Sequence, residues 1–340
     1  MTDDFTEVNG IGDGTQDKLE KAGFSSWDAI AHASPQKLQD KADVGESTSE
    51  TLLEEARKRS EMADFQTAKD MRDSRGDVFH ITAGVDEIDE LLDGGIETNS
   101  IFETYGEFGS GKSQVTHQLC VTTQLPEEYG GAHGRAMFID TEESFRPKRI
   151  EQMVSGLREE RKEALMDVHG VEEDSDTAES DLVDEVLAHI HVVQAHNSDH
   201  QIMLLEKAME VASGHKESDF PIRLLCVDSL MSYFRSEYVG RGALAQRQQK
   251  ISKHMYDMKK FSNLYNAAVV ITNQVQSDPD AFFGDPTKPI GGNIVGHTSN
   301  YRVYLKNKKD NKRAFELVDA PALPDGEVLF KITNDGLESA

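Results

Sequence analysis

Five short apolar runs punctuate the chain: Ile101-Phe102, Ala136-Met137-Phe138-Ile139, Ile190-His191-Val192-Val193, Leu224-Leu225-Cys226-Val227 and Ala268-Val269-Val270-Ile271-Thr272. Stretches of helical periodicity separate them, which is the pattern of a largely parallel sheet covered on both faces. Residues 301–332 read as shorter strands, with turns at 307–311 and 324–326. Residues 1–60 have another texture, short, polar and helical. In them Val8-Asn9-Gly10-Ile11-Gly12 leads into Gln16-Asp17-Lys18-Leu19, and Ala42-Asp43-Val44-Gly45-Glu46 leads into Thr51-Leu52-Leu53. Two glycine-centred turns that each open a helix read as paired helix-hairpin-helix units, whose amide N–H groups can hold a phosphate. A small helical bundle with glycine caps fits the same residues. Residues 61–78 are charged and weakly periodic and read as a linker. The expected fold is therefore an α/β core over 79–340 behind a small all-α domain.

Charge complicates any nucleic-acid reading. The chain has 340 residues and a net charge of −26, whereas phosphate backbones attract Lys and Arg. Such acidity also suits molar salt, where the screening length falls to about 3 Å and carboxylates scarcely repel one another. A salt-rich cytosol is the reading adopted; a merely acidic protein is the alternative. Residues 158–185 hold twelve Asp or Glu against three Lys or Arg and read as a solvated or partly disordered insertion, silent about chemistry. With 37% hydrophobic residues and no run of 18 apolar ones, no membrane span or membrane partner is expected. Met1-Thr2-Asp3-Asp4-Phe5 lacks the basic and apolar regions of a secretory signal, so a cytoplasmic address is expected. Cys120 and Cys226 lie in apolar stretches and read as buried thiols rather than a disulfide.

The strongest chemical motif is Gly106-Glu107-Phe108-Gly109-Ser110-Gly111-Lys112-Ser113. It follows a strand and opens a helix, the setting in which G-x-x-x-x-G-K-[ST] binds nucleoside triphosphate. Glycines free successive N–H groups to face phosphate oxygens, Lys112 would bridge the β- and γ-phosphates, and Ser113 would place its hydroxyl on Mg2+. Asp228, after the run 224–227, is the second candidate Mg2+ anchor. Asp140-Thr141-Glu142-Glu143 ends another strand and supplies a candidate base for the attacking water; spacing alone leaves Glu142 and Glu143 both open. Between Arg235 and Lys260 stand seven Lys or Arg and two acids, a basic island in an acidic chain, although a solvated helix face would look similar. Asn273-Gln274-Val275 leads into a Gly/Pro-rich loop carrying Phe282 and Phe283, poor core material but suited to stacking on bases. In molar salt counterion release yields little, so such stacking is expected to carry more of the affinity.

Phe138-Ile139-Asp140-Thr141-Glu142 followed by Phe145-Arg146-Pro147 resembles the second signature of the archaeal RadA family and its eukaryotic counterparts, within the RecA superfamily. The resemblance spans nearly the whole chain and extends to salt-adapted members. It implies a RecA-like P-loop NTPase core, with Glu142 activating the water and Arg149 stacking on adenine. It also implies that Gln274 links the γ-phosphate to the second DNA loop and that His297 senses nucleotide at a subunit interface. Arg235, Arg241 and Arg247 would contact the DNA backbone. Phe65-Gln66-Thr67-Ala68 has the F-x-x-A form by which the family adds a strand to a neighbour's sheet, burying Phe65 and Ala68 in its pockets. Asp319 would help hold potassium, and Pro324 would cover the adenine of the adjacent subunit. Asn9 stands where the family often has proline, Glu143 where a smaller residue is common, and the acidic segment is longer than in many members. The implied protein is a DNA-dependent ATPase and strand-exchange recombinase using ATP, Mg2+ and K+. Its partners would be single- and double-stranded DNA and further copies of itself, in a helical filament or ring. A hexameric helicase and a mediator that assists a recombinase are the competing readings.

Overall fold

The computed structural model describes residues 3–31, 33–59, 67–74, 78–173, 175–277 and 287–340. They form two units, Met1–Asp77 and Val78–Ala340. In the first, helices α1 (Asp13–Lys21), α2 (Trp27–Ala31), α3 (Pro35–Ala42) and α4 (Glu46–Arg59) enclose a core of fully buried Phe5, Leu19, Ile30, Leu38, Leu52 and Ala56. The start of α3 follows from its sequence. Pro35 sits at the helix N-terminus, where its missing N–H costs nothing, and the Ser34 hydroxyl accepts from Lys37 N. Asp43, in the left-handed region at φ 47°, ends α3 three residues before α4 begins. Further along, Ala68 opens α5 (Ala68–Ser74), capped by Thr67 and Asp70, each accepting from the other. A strand added to a neighbour would therefore end at Thr67; Phe65 lies outside the described residues.

Among its described residues the second unit holds an antiparallel pair, β1 (His80–Ile81) with β2 (Ile96–Glu97), and a ten-stranded sheet in the order β12 (Leu337–Ser339), β11 (Gly326–Ile332), β10 (Lys312–Asp319), β9 (Tyr301–Asn307), β3 (Ile101–Gly106), β7 (Ala268–Ser277), β6 (Ile222–Asp228), β4 (Arg135–Asp140), β5 (Ile190–Gln194), with β8 (Thr287–Pro289) on β7. All five predicted central runs are strands: β3 (Ile101–Gly106), β4 (Arg135–Asp140), β5 (Ile190–Gln194), β6 (Ile222–Asp228) and β7 (Ala268–Ser277). They pair in parallel, with β9 (Tyr301–Asn307) parallel to β3 on the other side. Antiparallel β10 (Lys312–Asp319), β11 (Gly326–Ile332) and β12 (Leu337–Ser339) extend that flank, while β8 (Thr287–Pro289) folds back on β7. Alternate side chains feed opposite cores, as the pleat requires. Phe102, Phe138, Cys226 and Val270 face one cluster; Ile101, Ile139, Leu225 and Ile271 face the other. The first cluster is covered by α7 (Lys112–Thr122) and α8 (Pro147–Ser155), the second by α11 (Ser198–His215) and α13 (Leu244–Tyr265). Both cysteines are buried and free.

The acidic segment departs from its expected character. Residues 158–185 fold mainly as α9 (Glu159–His169) and the greater part of α10 (Ala178–Ala188), and Leu165, Leu182 and Val186 are fully buried in the first core. Charge dominates the composition because the solvent face is acidic, but the sparse apolar positions suffice to anchor two helices.

Candidate nucleotide and nucleic-acid site

β3 delivers the phosphate loop to the carboxyl edge of the sheet, where ligands of open α/β sheets bind. Gly106 is required by crowding, since a Cβ there would lie 2.3 Å from Leu305 O and 2.6 Å from Ser110 Oγ. Gly111, at φ 105°, caps α7 in the left-handed region open to glycine. Lys112 Nζ donates to Gly106 O (3.0 Å) and Glu107 O (2.9 Å). Burial pulls its ammonium below the usual lysine range against the attraction of Asp228 and Glu142. A half-buried cation held only by carbonyls, beside the buried Ser110 hydroxyl without a partner among the described residues, fits an anion such as a triphosphate. The open cleft, of about 410 Å3, is lined by Gly106, Glu107, Phe108, Lys112, Glu142, Gln274, Val275, Gln276 and Thr287.

Asp228 ends β6 and is almost wholly buried. Its two carboxylate oxygens accept from the Thr272 hydroxyl and, at 2.7 Å, from Ser144 Oγ. Those two hydroxyls orient the group while leaving lone pairs for a cation. The Asp140 carboxylate accepts from Glu142 N (3.1 Å), Ser144 N (3.0 Å) and Phe145 N (3.0 Å), which winds the loop after β4 around one side chain. Glu143 takes φ 55° there, and the two glutamates separate. Glu142 Oε1 accepts from Gln274 Nε2 (2.8 Å) and Ser229 Oγ (2.6 Å), inside the cleft. Glu143 is exposed and does not line it.

His117, Ser144 and Thr272 were not singled out from the sequence. His117 Nδ1 donates to Ser113 O (2.5 Å) and Nε2 accepts from Arg146 N (3.2 Å), so one ring joins the phosphate-loop helix to the Glu142 loop. Its stacking on Phe145, at 5.0 Å and 20°, holds that orientation. Only its place one turn after Ser113, on a face turned to the Phe145 loop, marked it.

Arg149 donates to Gln114, Gln152, Thr333 O and Asn334 O, which fixes the plane of its guanidinium. His297, on α14 (Asn293–Thr298), and Asp319 and Pro324 are exposed and do not line the cleft. Arg235 is exposed on α12 (Ser232–Glu237). Arg241 opens a short turn after Gly240 at φ 85°, and its side chain lies outside the described set. Arg247 on α13 is half-buried, with an Nε that makes no hydrogen bond among the described residues. Three of the seven cations in this island make internal contacts: Lys250 pairs with Asp199 and covers Tyr238, Lys259 donates to Asn300 Oδ1 at 3.0 Å, and Lys260 lies over the Tyr256 ring at 4.7 Å. Residues 278–286, with Phe282 and Phe283, are outside the described residues. Ser277 precedes them and Thr287 follows; Gln276 and Thr287 line the cleft.

At the far end of the strand order, β5 has a sheet neighbour on one side only among the described residues. Beside it opens an apolar pocket of about 150 Å3, bounded by Met137, Ile139, Val193, Leu204, Ala208 and Val211 among others.

A glycine-rich phosphate loop, a buried aspartate on a neighbouring strand and a poised glutamate define a P-loop nucleotide-binding protein of the RecA-like kind. Residues 74–340 match Rad51, and the chain belongs to the Rad51 family. Residues 2–58 match the SAM-like helix-hairpin-helix tandem. The chain is 52% identical over 338 residues, 98% of each chain, to the DNA repair and recombination protein RadA of Halobacterium salinarum. It is 50% identical over 338 residues to the protein of the same name in Haloferax volcanii, covering 99% of this chain and 98% of that one. Its identity to the one in Methanoculleus marisnigri is 48% over 335 residues, 98% of each.

Proposed function

We propose that the protein is an ATP-dependent DNA recombinase that assembles on single-stranded DNA, pairs it with a homologous duplex and exchanges strands. The observation that carries this reading is the bond from Gln274 to Glu142 (2.8 Å) at the foot of residues 278–286. The group that would activate water is tied to the strand from which the candidate DNA-binding loop departs. ATP and DNA can then each be felt by the other's site.

In the proposed hydrolysis, Lys112 and the amides of 106–113 hold the phosphates, and Ser113 and Asp228 hold Mg2+, which would neutralise developing charge. Glu142 uses its second oxygen as base. Water oxygen bonds to the γ-phosphorus, the bond to the ADP oxygen breaks, and the water proton passes to Glu142. The face of the locked Arg149 guanidinium would take adenine. Exposed His297, Asp319 and Pro324 suit a role toward a neighbouring protomer's nucleotide, with K+ at Asp319. The edge of β5 and its apolar pocket suit strand addition by a neighbour's chain from Phe65 to Thr67, with Ala68 opening the helix that follows, and head-to-tail addition that does not close yields a filament. Arg235, Arg241 and Arg247 would hold the sugar-phosphate backbone, with Phe282 and Phe283 between bases. A DNA substrate suits the cytoplasmic address expected from the sequence.

Strand exchange between a circular single strand and a homologous linear duplex, with ATP, Mg2+ and K+, tests this. Joint molecules that depend on ATP are expected. Their absence, with closed six-fold rings on DNA in electron micrographs, would favour a helicase. Their absence alongside enhanced exchange by another recombinase would favour a mediator.

A further inference from the structure

The acidic hairpin carries histidine at the end of each helix. α9 closes on His169, with Gly170 at φ 67° reversing the chain, and α10 is capped by His189. One ligand atom each from His169, Glu185 and His189 lie within 4.8 Å of one another. Glu185 and His189 are four residues apart and so share a helix face. His169 Nε2 is buried without a hydrogen-bond partner among the described residues, an uncommon state for a buried ring nitrogen. His189 Nδ1 donates to Glu185 O at 2.7 Å, which orients the ring and leaves the lone pair on Nε2. An N–H to a backbone carbonyl is how metal-ligating imidazoles are usually held. Both rings pack edge-on to Phe220, at 5.6 and 5.2 Å, an apolar floor.

Two imidazoles and a carboxylate match Zn2+ and its neighbours rather than the oxygen-only sets of Mg2+ or Ca2+. Bonds of about 2.0–2.1 Å would bring the ligand atoms to roughly 3.4 Å apart, a closure within reach of side-chain rotation. Arg135, whose guanidinium lies 5.9 Å from the Phe220 ring, opposes a cation nearby; Glu185 supplies the compensating charge.

We propose that His169, Glu185 and His189 bind one transition-metal ion, Zn2+ by preference, with water in the fourth position. None of the three lines the nucleotide cleft. Because His189 immediately precedes β5, the ion would clamp the hairpin to the base of the edge strand.

The test is calorimetric titration of chelator-stripped full-length protein with ZnCl2 in excess magnesium, and CoCl2 titration read by its tetrahedral absorption. One equivalent is expected, with affinity falling more than about tenfold in His169→Asn and in His189→Asn. Glu185→Gln, an isosteric change at an exposed position, should do the same and carries the test where a histidine variant fails to fold. His200→Asn, in the separate stacked pair His196–His200, should leave binding unchanged. The proposal is overturned where the wild type takes up no zinc, where Glu185→Gln binds it as the wild type does, or where His200→Asn abolishes uptake.

Discussion

The nucleotide cleft and the segments proposed to face DNA are built in opposite ways. Lys112 and Glu142, which line the cleft, and Asp228 and Arg149, which do not, are each held by partners on other elements, at hydrogen-bond distances. On the DNA side, Arg235 is exposed, Arg241 follows a glycine turn and Arg247 Nε makes no hydrogen bond among the described residues. Transition-state charge is stabilised best by groups that need no reorganisation. A polymer of variable sequence is held better by groups free to follow it. Variants in the two regions should therefore fail differently, and that is open to measurement.

The largest effect is expected for Glu142→Gln, which should lower hydrolysis by about 10^2–10^4-fold yet retain ATP-dependent DNA binding in a filter assay; loss of both would break the division of labour. For Lys112→Ala phosphate release should fall by about 10^2–10^3-fold, with the melting temperature nearly unchanged, since the ammonium meets only carbonyls. Leu182→Ala should destabilise the core by about 2–5 kcal/mol in denaturant melts, because its side chain is fully buried; a value near zero would return the acidic segment to a loose insertion. Arg235→Ala should weaken single-strand binding uniformly across sequences and reduce the salt slope by roughly 0.7 for each phosphate left unneutralised, with DNA-free hydrolysis intact.

The smallest effect concerns pH. Burial alone pushes His254 on α13 down to about 3. The unfolded chain then binds the extra proton below about 6.5. His254 thus contributes stability that is complete above pH 6.5 and lost as pH falls toward 3, at no more than about 1.4 kcal/mol per pH unit. Stability curves of the wild type and His254→Met should converge as pH is lowered through that window; parallel curves would refute the assignment.

The legible parts of the molecule share a local cause. Gly106–Ser113 could be read because a phosphate loop needs glycine at positions set by backbone geometry, and strands β3, β4, β6 and β7 because burial on both faces demands unbroken apolar runs; β5, exposed from Val192 on, kept its apolar run at the sheet edge. The cleft was less legible where its groups come from separate strands. Glu142 was the natural candidate, but spacing alone could not settle which of Glu142 and Glu143 points inward; the turn at Glu143 together with Ser229 and Gln274 separates them. His117, Ser144 and Thr272 carried no motif, since each matters only through what it meets across the fold. The acidic segment misled because its charge outweighed a few buried apolar side chains, Leu165 and Leu182 foremost.

By itself the sequence determined the strand and helix pattern, the phosphate loop and the acidic surface, all properties of neighbours along the chain. Which glutamate faces the cleft, which cations remain outward and where two helix-end histidines meet were decided by the tertiary structure. Hydrogen bonds and burial act between residues that sequence separation does not bring together.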